Sequence, residues 1–215
     1  MPDATLMELE GRDVLPYVGD RDAVLEAIQG FTTGSRQAPD ARRALATVMF
    51  TDIVGSTQRA ALLGDAGWSQ LLAEHNELVR DELHRFEGVE VDTTGDGFLA
   101  TFDGPARAVR CAAAIAERTR SIGIEIRAGV HTGEVEREGK DVRGIAVHAG
   151  ARVMALAGPS EVLVSSTVRD LTAGSGLVFE DAGEHELRGV PDLWSLYRVA
   201  SPSVKKNVGL PSDRP

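Results

Sequence analysis

From Ala44 onward the chain alternates between short apolar runs and longer stretches in which apolar groups return every three or four positions. The run from Leu45 to Phe50 predicts a buried strand, followed by a turn over Thr51–Thr57. Trp68, Leu71, Leu72, His75, Leu78, Val79, Leu83 and Phe86 fall on one face of a helix from about Gly67 to Phe86. Val89–Thr93 and Phe98–Phe102 read as two strands joined by Thr94-Gly95-Asp96-Gly97, a strong hairpin signal with Asp96 at its tip. Pro105 suits the first turn of a helix running to about Ser121, and Ile124–His131 predicts another strand. The order strand, helix, strand, strand, helix, strand is that of a ferredoxin-like βαββαβ core, an α+β fold. Beyond it the pattern predicts a Gly-rich hairpin over Thr132–Gly144, a helix to about Leu156, a strand at Val162–Ser165 and a closing pair of strands.

The region before this core has a different rhythm. Thr5–Leu9 alternates like a short strand, and Asp20 is placed to cap an amphipathic helix bearing Val24, Leu25, Ile28 and Phe31. Thr32–Arg43 is a polar linker broken by Gly34, Pro39 and Asp40. The expected organisation is therefore an N-terminal segment over 1–43, a catalytic-sized domain over 44–200 and a flexible tail over 201–215.

Composition narrows the function. The 215 residues are 42% hydrophobic and 26% charged, enough for one ordinary domain with an appendage. A net charge of −10 without a basic stripe argues against a nucleic-acid partner. The lone Cys111 excludes an intrachain disulfide. No run of ~18 apolar residues offers a membrane span, and the acidic start is unlike a signal peptide, so the expectation is a cytoplasmic protein without membrane insertion.

Three motifs carry chemistry. In Phe50–Thr57 (FTDIVGST) a buried strand ends at Asp52 and opens into a helix. The first amides of a helix suit phosphate, and a carboxylate beside them suits a divalent metal on the same phosphates, which makes Ile53, Val54, Gly55, Ser56 and Thr57 candidate substrate contacts. Alone, such a junction equally fits an aspartate satisfying turn amides. The Thr94–Gly97 hairpin tip is the second motif, and in a ferredoxin-like sheet it lies beside the end of the first strand. Asp52 and Asp96 then converge, and paired carboxylates call for a cation. In the third motif, Asp141–Arg152 (DVRGIAVHAGAR), His148 and Arg152 are four apart on one helix face, and Arg152 offers a fork-shaped donor for phosphate.

Together FTDIVGST, TTGDGFLATF and DVRGIAVHAGARVM resemble the catalytic domain of class III adenylyl and guanylyl cyclases over about Ala44–Val199. AGPSEVLVSSTVRDL and HELRGVPDLWSLYRV resemble the closing part of the bacterial IIIc subgroup. The resemblance implies that Asp52 and Asp96 bind two Mg²⁺ or Mn²⁺ ions. It further implies that Asp141 reads the purine, His148 the ribose region, Arg152 the transferring phosphate and Arg188 the outer phosphates, these four supplied by the partner subunit of a homodimer. The expected product is cyclic AMP from ATP.

Two positions depart from the family. Adenylyl cyclases carry lysine where this chain has Asp92. An ionised carboxylate only accepts hydrogen bonds, so it cannot donate to adenine N1, while guanine would meet a mismatch at Asp141. Adenine remains the expected base, with reduced activity or relaxed specificity that admits GTP. His148 replaces an asparagine and keeps one ring donor, which opens activity to pH near neutrality. The N-terminal segment resembles the end of an α/β-hydrolase, with Val14 near the place of that family's catalytic histidine and no nucleophile elbow anywhere in the chain. Two other readings remain open at this point: a nucleotide-binding regulatory or scaffold dimer, and a polymerase-like or diguanylate-forming enzyme.

Overall fold

The structure, a computed structural model, describes residues 43–139 and 141–200. The expectations for 1–42 and 201–215 lie outside the described residues.

The expected α+β core is present. Strands β1 (Arg43–Ile53), β2 (Val89–Thr94), β3 (Gly97–Phe102) and β4 (Ile126–Glu138) alternate with helices α1 (Ser56–Arg85) and α2 (Pro105–Thr119). They are followed by β5 (Asp141–Arg143), α3 (Ile145–Leu156), β6 (Val162–Ser165), α4 (Ser166–Leu171), β7 (Phe179–Glu186) and β8 (Leu193–Val199). The described strands form one sheet in the order β2-β3-β1-β4-β6-β8-β7, with β5 paired to the far end of β4. The first four positions of that order are those of the ferredoxin-like core.

Alternation along β1 divides the core between two sheet faces. Met49 and Ile53 join Val79, Leu83, Phe98, Val109 and Ile115 on the side covered by α1 and α2. Ala46 and Val48 pack with Ala146 beneath α3, where Phe50 and Leu99 are only half-buried. The helix α3 sits unusually close to the sheet. A Cβ at Gly129 would meet Met154 Cα at 2.6 Å and Gly150 O at 2.8 Å, and one at Gly150 would meet Val48 Cγ2 at 2.7 Å. Glycine at both positions is therefore what seats this helix on β1 and β4.

Several boundaries differ from the sequence expectation. The helix α1 begins at Ser56 rather than near Gly67, because Gly64 takes φ 67 and ψ 169 and bends the helix. That backbone region belongs almost solely to glycine, and the kink joins the helix expected to open after Asp52 to the one expected from Gly67. The strand β4 runs to Glu138 instead of His131, since its polar end pairs with the start of β1 and with β5. The short α4 was not expected, and its one buried residue, Val168, leaves no period to read.

Burial shifts two interior titratable side chains strongly. His131 Nδ1 lies 2.8 Å from Ser165 Oγ, its ring meets Trp194 edge-on, and burial pushes its pKa down to about 4. Cys111 is fully buried on α2, and burial, with the charge of Glu82, pushes its thiol up to about 12.

Candidate functional site

The residue at the centre of the site is Asp52, one step before the end of β1. Its alternation phase is that of Val48 and Phe50, so it stands on the α3 side of the sheet. Directly across β4 is Arg127, in register with it. The guanidinium places two donors on the one oxygen Oδ2, Nε at 3.0 Å and Nη2 at 2.5 Å. Neither partner is deeply buried, with side-chain exposures of 23% for Asp52 and 35% for Arg127, so the pair faces an open cleft.

The other oxygen, Oδ1, faces the β2–β3 hairpin. It lies 3.7 Å from where a Cβ on Gly97 would stand, and Thr51 O lies at 3.0 Å from the same point. The absence of a side chain at Gly97 is thus what allows the hairpin tip, with half-buried Asp96 on it, to close against the end of β1. Asp52 and the Asp96 turn do converge, as the strand order requires. A cavity of about 110 Å³ opens here, lined by Asp52, Asp92, Thr94, Gly97, Leu99 and Met154 among others.

Beneath the hairpin, Phe98 is held between α1 side chains, with the His75 ring centroid at 5.9 Å and the Arg80 guanidinium at 5.5 Å. Arg80 makes a bidentate pair with Glu90, which also accepts from Thr93 Oγ1. This network braces β2 against α1. Burial lowers the pKa of His75, opposed by its hydrogen bond with Asn76 and by the charge of Asp96.

The start of α1 follows closely on the end of β1. Gly55 is left-handed, with φ 68, and no side chain caps the helix. The first-turn amides therefore have no acceptor within the helix and present partial positive charge. Of the expected phosphate contacts, Ile53 is buried in the core and the Val54 amide already donates to Glu125 O at 2.9 Å. Gly55, Ser56 and Thr57 are the amides left for an anion.

Metal fit follows from the donor set. Among the described residues no group of three His, Cys, Asp or Glu side chains gathers in one place. The two carboxylates, Asp52 on β1 and Asp96 on the β2–β3 turn, are nonetheless hard oxygen donors of the kind Mg²⁺ and Mn²⁺ take, and Mg²⁺ commonly uses one or two carboxylates with the substrate's phosphates completing its shell. The residues fit such a cation when a polyphosphate is present.

Of the remaining expected site residues, Asp92 lines the Asp52 cavity, whereas Arg152, Arg188, His148 and Asp141 do not. Arg152 is exposed on α3 and donates from Nε to the Arg188 carbonyl at 3.3 Å, which ties it to the loop between β7 and β8. Arg188 is exposed on that same loop, and His148 is exposed one turn before Arg152. Asp141 is exposed on β5, 3.7 Å from Arg143. Asp92 is exposed, and its Oδ1 accepts the Thr93 amide at 2.8 Å. The strands β2 and β5 are in contact, bringing the elements that bear Asp92 and Asp141 together within one chain.

Arg127 was absent from the sequence-based set. Its signal is the register of β1 against β4, which no spacing within a single motif reveals. No described helix is long and apolar enough to cross a membrane.

Comparison with known proteins bears on the family and the fold. The family profile described as the adenylate and guanylate cyclase catalytic domain matches residues 40–200. A Rhizobium meliloti protein provisionally named adenylate cyclase 3 is 29% identical over 158 residues, covering 69% of this chain and 27% of that protein. An uncharacterised Mycobacterium tuberculosis protein is 28% identical over 195 residues, covering 88% of this chain and 66% of that one. The chain thus spans between about a quarter and two thirds of these relatives' lengths. Among solved structures, the adenylyl cyclase CyaB of P. aeruginosa superposes with a TM-score of 0.70 at 19% identity, covering 75% of this chain and 96% of that one.

Proposed function

The chain belongs to the adenylate and guanylate cyclase catalytic domain family, and we propose that it converts ATP to 3′,5′-cyclic AMP and pyrophosphate at sites shared between two copies. The observation that carries this reading is the meeting of Asp52, the Asp96 hairpin and the uncapped start of α1 at one edge of the cleft. In the proposed reaction the ribose 3′-oxygen bonds to the α-phosphorus as the bond from that phosphorus to the bridging oxygen breaks, and the hydroxyl proton leaves to solvent. Two divalent cations, when bound, would lower the pKa of the 3′-hydroxyl and neutralise phosphate charge.

The protein's own groups divide the remaining work. Asp52 and Asp96 would hold the cations, the amides of Gly55, Ser56 and Thr57 orient the β- and γ-phosphates, and Arg127, paired with Asp52, is the cation beside them. Asp141 accepts from the adenine amine, His148 holds the ribose, Arg152 meets charge developing on the α-phosphate, and Arg188 binds the departing pyrophosphate.

A second copy is needed because of helix geometry. Met154 lines the Asp52 cavity, and residues two apart on a helix point roughly 200° apart, so Arg152 serves a cleft other than that of its own Asp52. The half-buried Phe50 and Leu99, with exposed Ile145 and Leu156, leave apolar surface on this face for the partner. A weakly active nucleotide-binding dimer, or a cyclase that also takes GTP, is the second reading. Asp92 favours it, since this acceptor-only side chain already holds the Thr93 amide.

Chromatography and mass spectrometry of products from ATP and GTP, each with Mn²⁺ and Mg²⁺, test the proposal. Cyclic AMP that disappears on Asp52→Asn and on Asp96→Asn is the expected result. Product undiminished in either variant would refute the metal assignment.

A further inference from the structure

We propose that Arg127 is the resident counter-ion of Asp52 in the nucleotide-free protein, so that divalent cation and triphosphate bind as a coupled pair and the cation alone is held off. The inference rests on the reading of Asp52 as a cation ligand and extends it to the empty site's energetics.

The geometry supplies the argument. Both guanidinium donors converge on Oδ2, and the register of β1 and β4 fixes the two side chains opposite each other on one sheet face. A cation approaching Asp52 must take an oxygen already engaged by a fixed positive charge, or share the carboxylate with it. Either route penalises metal binding alone, because the charges stand only a few ångströms apart. A triphosphate changes the balance. It offers Arg127 a bidentate acceptor of higher charge, Arg127 leaves Asp52, and the freed carboxylate takes the cation that the same phosphates already chelate. Each ligand thereby removes the obstacle to the other, which is positive linkage and must be reciprocal. In the empty state the pair also prevents an uncompensated carboxylate from standing beside Asp96.

The test uses the whole 215-residue chain and measures Mn²⁺ alone by electron paramagnetic resonance, with no nucleotide, in wild type, Arg127→Gln, Asp52→Asn and Asp52→Asn/Arg127→Gln. Removing the guanidinium charge should tighten Mn²⁺ binding by about tenfold at low salt, an effect expected to shrink as ionic strength rises. ATP binding in EDTA, followed by calorimetry, should move oppositely. Asp52→Asn should tighten metal-free ATP binding several-fold by releasing Arg127, and the double variant should lose that gain. Arg127→Lys, which keeps the charge, guards against misfolding and should bind Mn²⁺ like wild type. Unchanged or weakened Mn²⁺ binding in folded Arg127→Gln would overturn the inference. Mn²⁺ binding that persists unchanged in Asp52→Asn would instead refute the reading of Asp52 on which it rests.

Discussion

Replacing Gly129 by alanine should damage catalysis without touching any group that contacts substrate. The added Cβ would stand 2.6 Å from Met154 Cα and 2.8 Å from Gly150 O, against the 3.4 Å of ordinary contact, and every obstructing atom is backbone. No rotamer relieves such a clash, so α3 must lift from β4 by about 1 Å. Overpacking of this kind costs about 1–3 kcal/mol. For a domain of this size that lowers the melting temperature by about 2–12 °C. The larger effect is on activity, because α3 carries His148 and Arg152 and contributes Met154 to the Asp52 cavity. A misplacement of about 1 Å is enough to cost about 10²-fold in rate. The assay is cyclic nucleotide formation well below the variant's melting temperature, beside Gly104→Ala, where a side chain enters open space. A Gly129→Ala protein with wild-type melting and wild-type turnover would refute the claim that close seating of α3 sets the site.

Asp92→Lys should raise turnover of ATP and sharpen its preference over GTP by about tenfold, one added donor to the base being worth about 1–1.5 kcal/mol. Steady-state rates with both nucleotides would measure it, and no change would mean that the base is read elsewhere. His131 should make stability fall in mild acid. Its folded pKa of about 4 lies below the ordinary 6.5, so the unfolded chain binds the extra proton and stability is lost as pH drops through that interval. The loss is on the order of 3 kcal/mol across the window, and denaturant titrations of His131→Gln should give a flatter profile between those values. Asp52→Asn and Asp96→Asn should each reduce metal-dependent product by at least about 10²-fold, the scale of losing a charge-stabilising group at a reacting phosphate.

Elements whose residues repeat locally were readable in advance. The hairpin around Asp96, the apolar face of α1 from Trp68 to Leu83 and the helix from Ile145 to Leu156 all announce themselves within windows of a dozen or so positions. The convergence of Asp52 with Asp96 followed from strand order alone. What escaped reading depends on distant partners or on a single backbone angle. Arg127 meets Asp52 only because β1 and β4 pair in one register across 75 positions. That the helix opening after Asp52 and the one through Trp68 are joined across a kink rests on the backbone angles of Gly64 alone. The amide of Val54 is taken by Glu125, a loss that no inspection of FTDIVGST reveals.

Cys111 gives the domain an internal chemical clock. A thiol wholly enclosed by α2 and its neighbours, with its pKa near 12, is almost never a thiolate in the folded state, and only a thiolate attacks a disulfide reagent. Modification therefore waits for an opening large enough to expose the middle of α2, and its rate reports the free energy of that opening without any engineered label. The same sulfur that contributes only packing to the native fold turns every excursion out of that fold into a countable event.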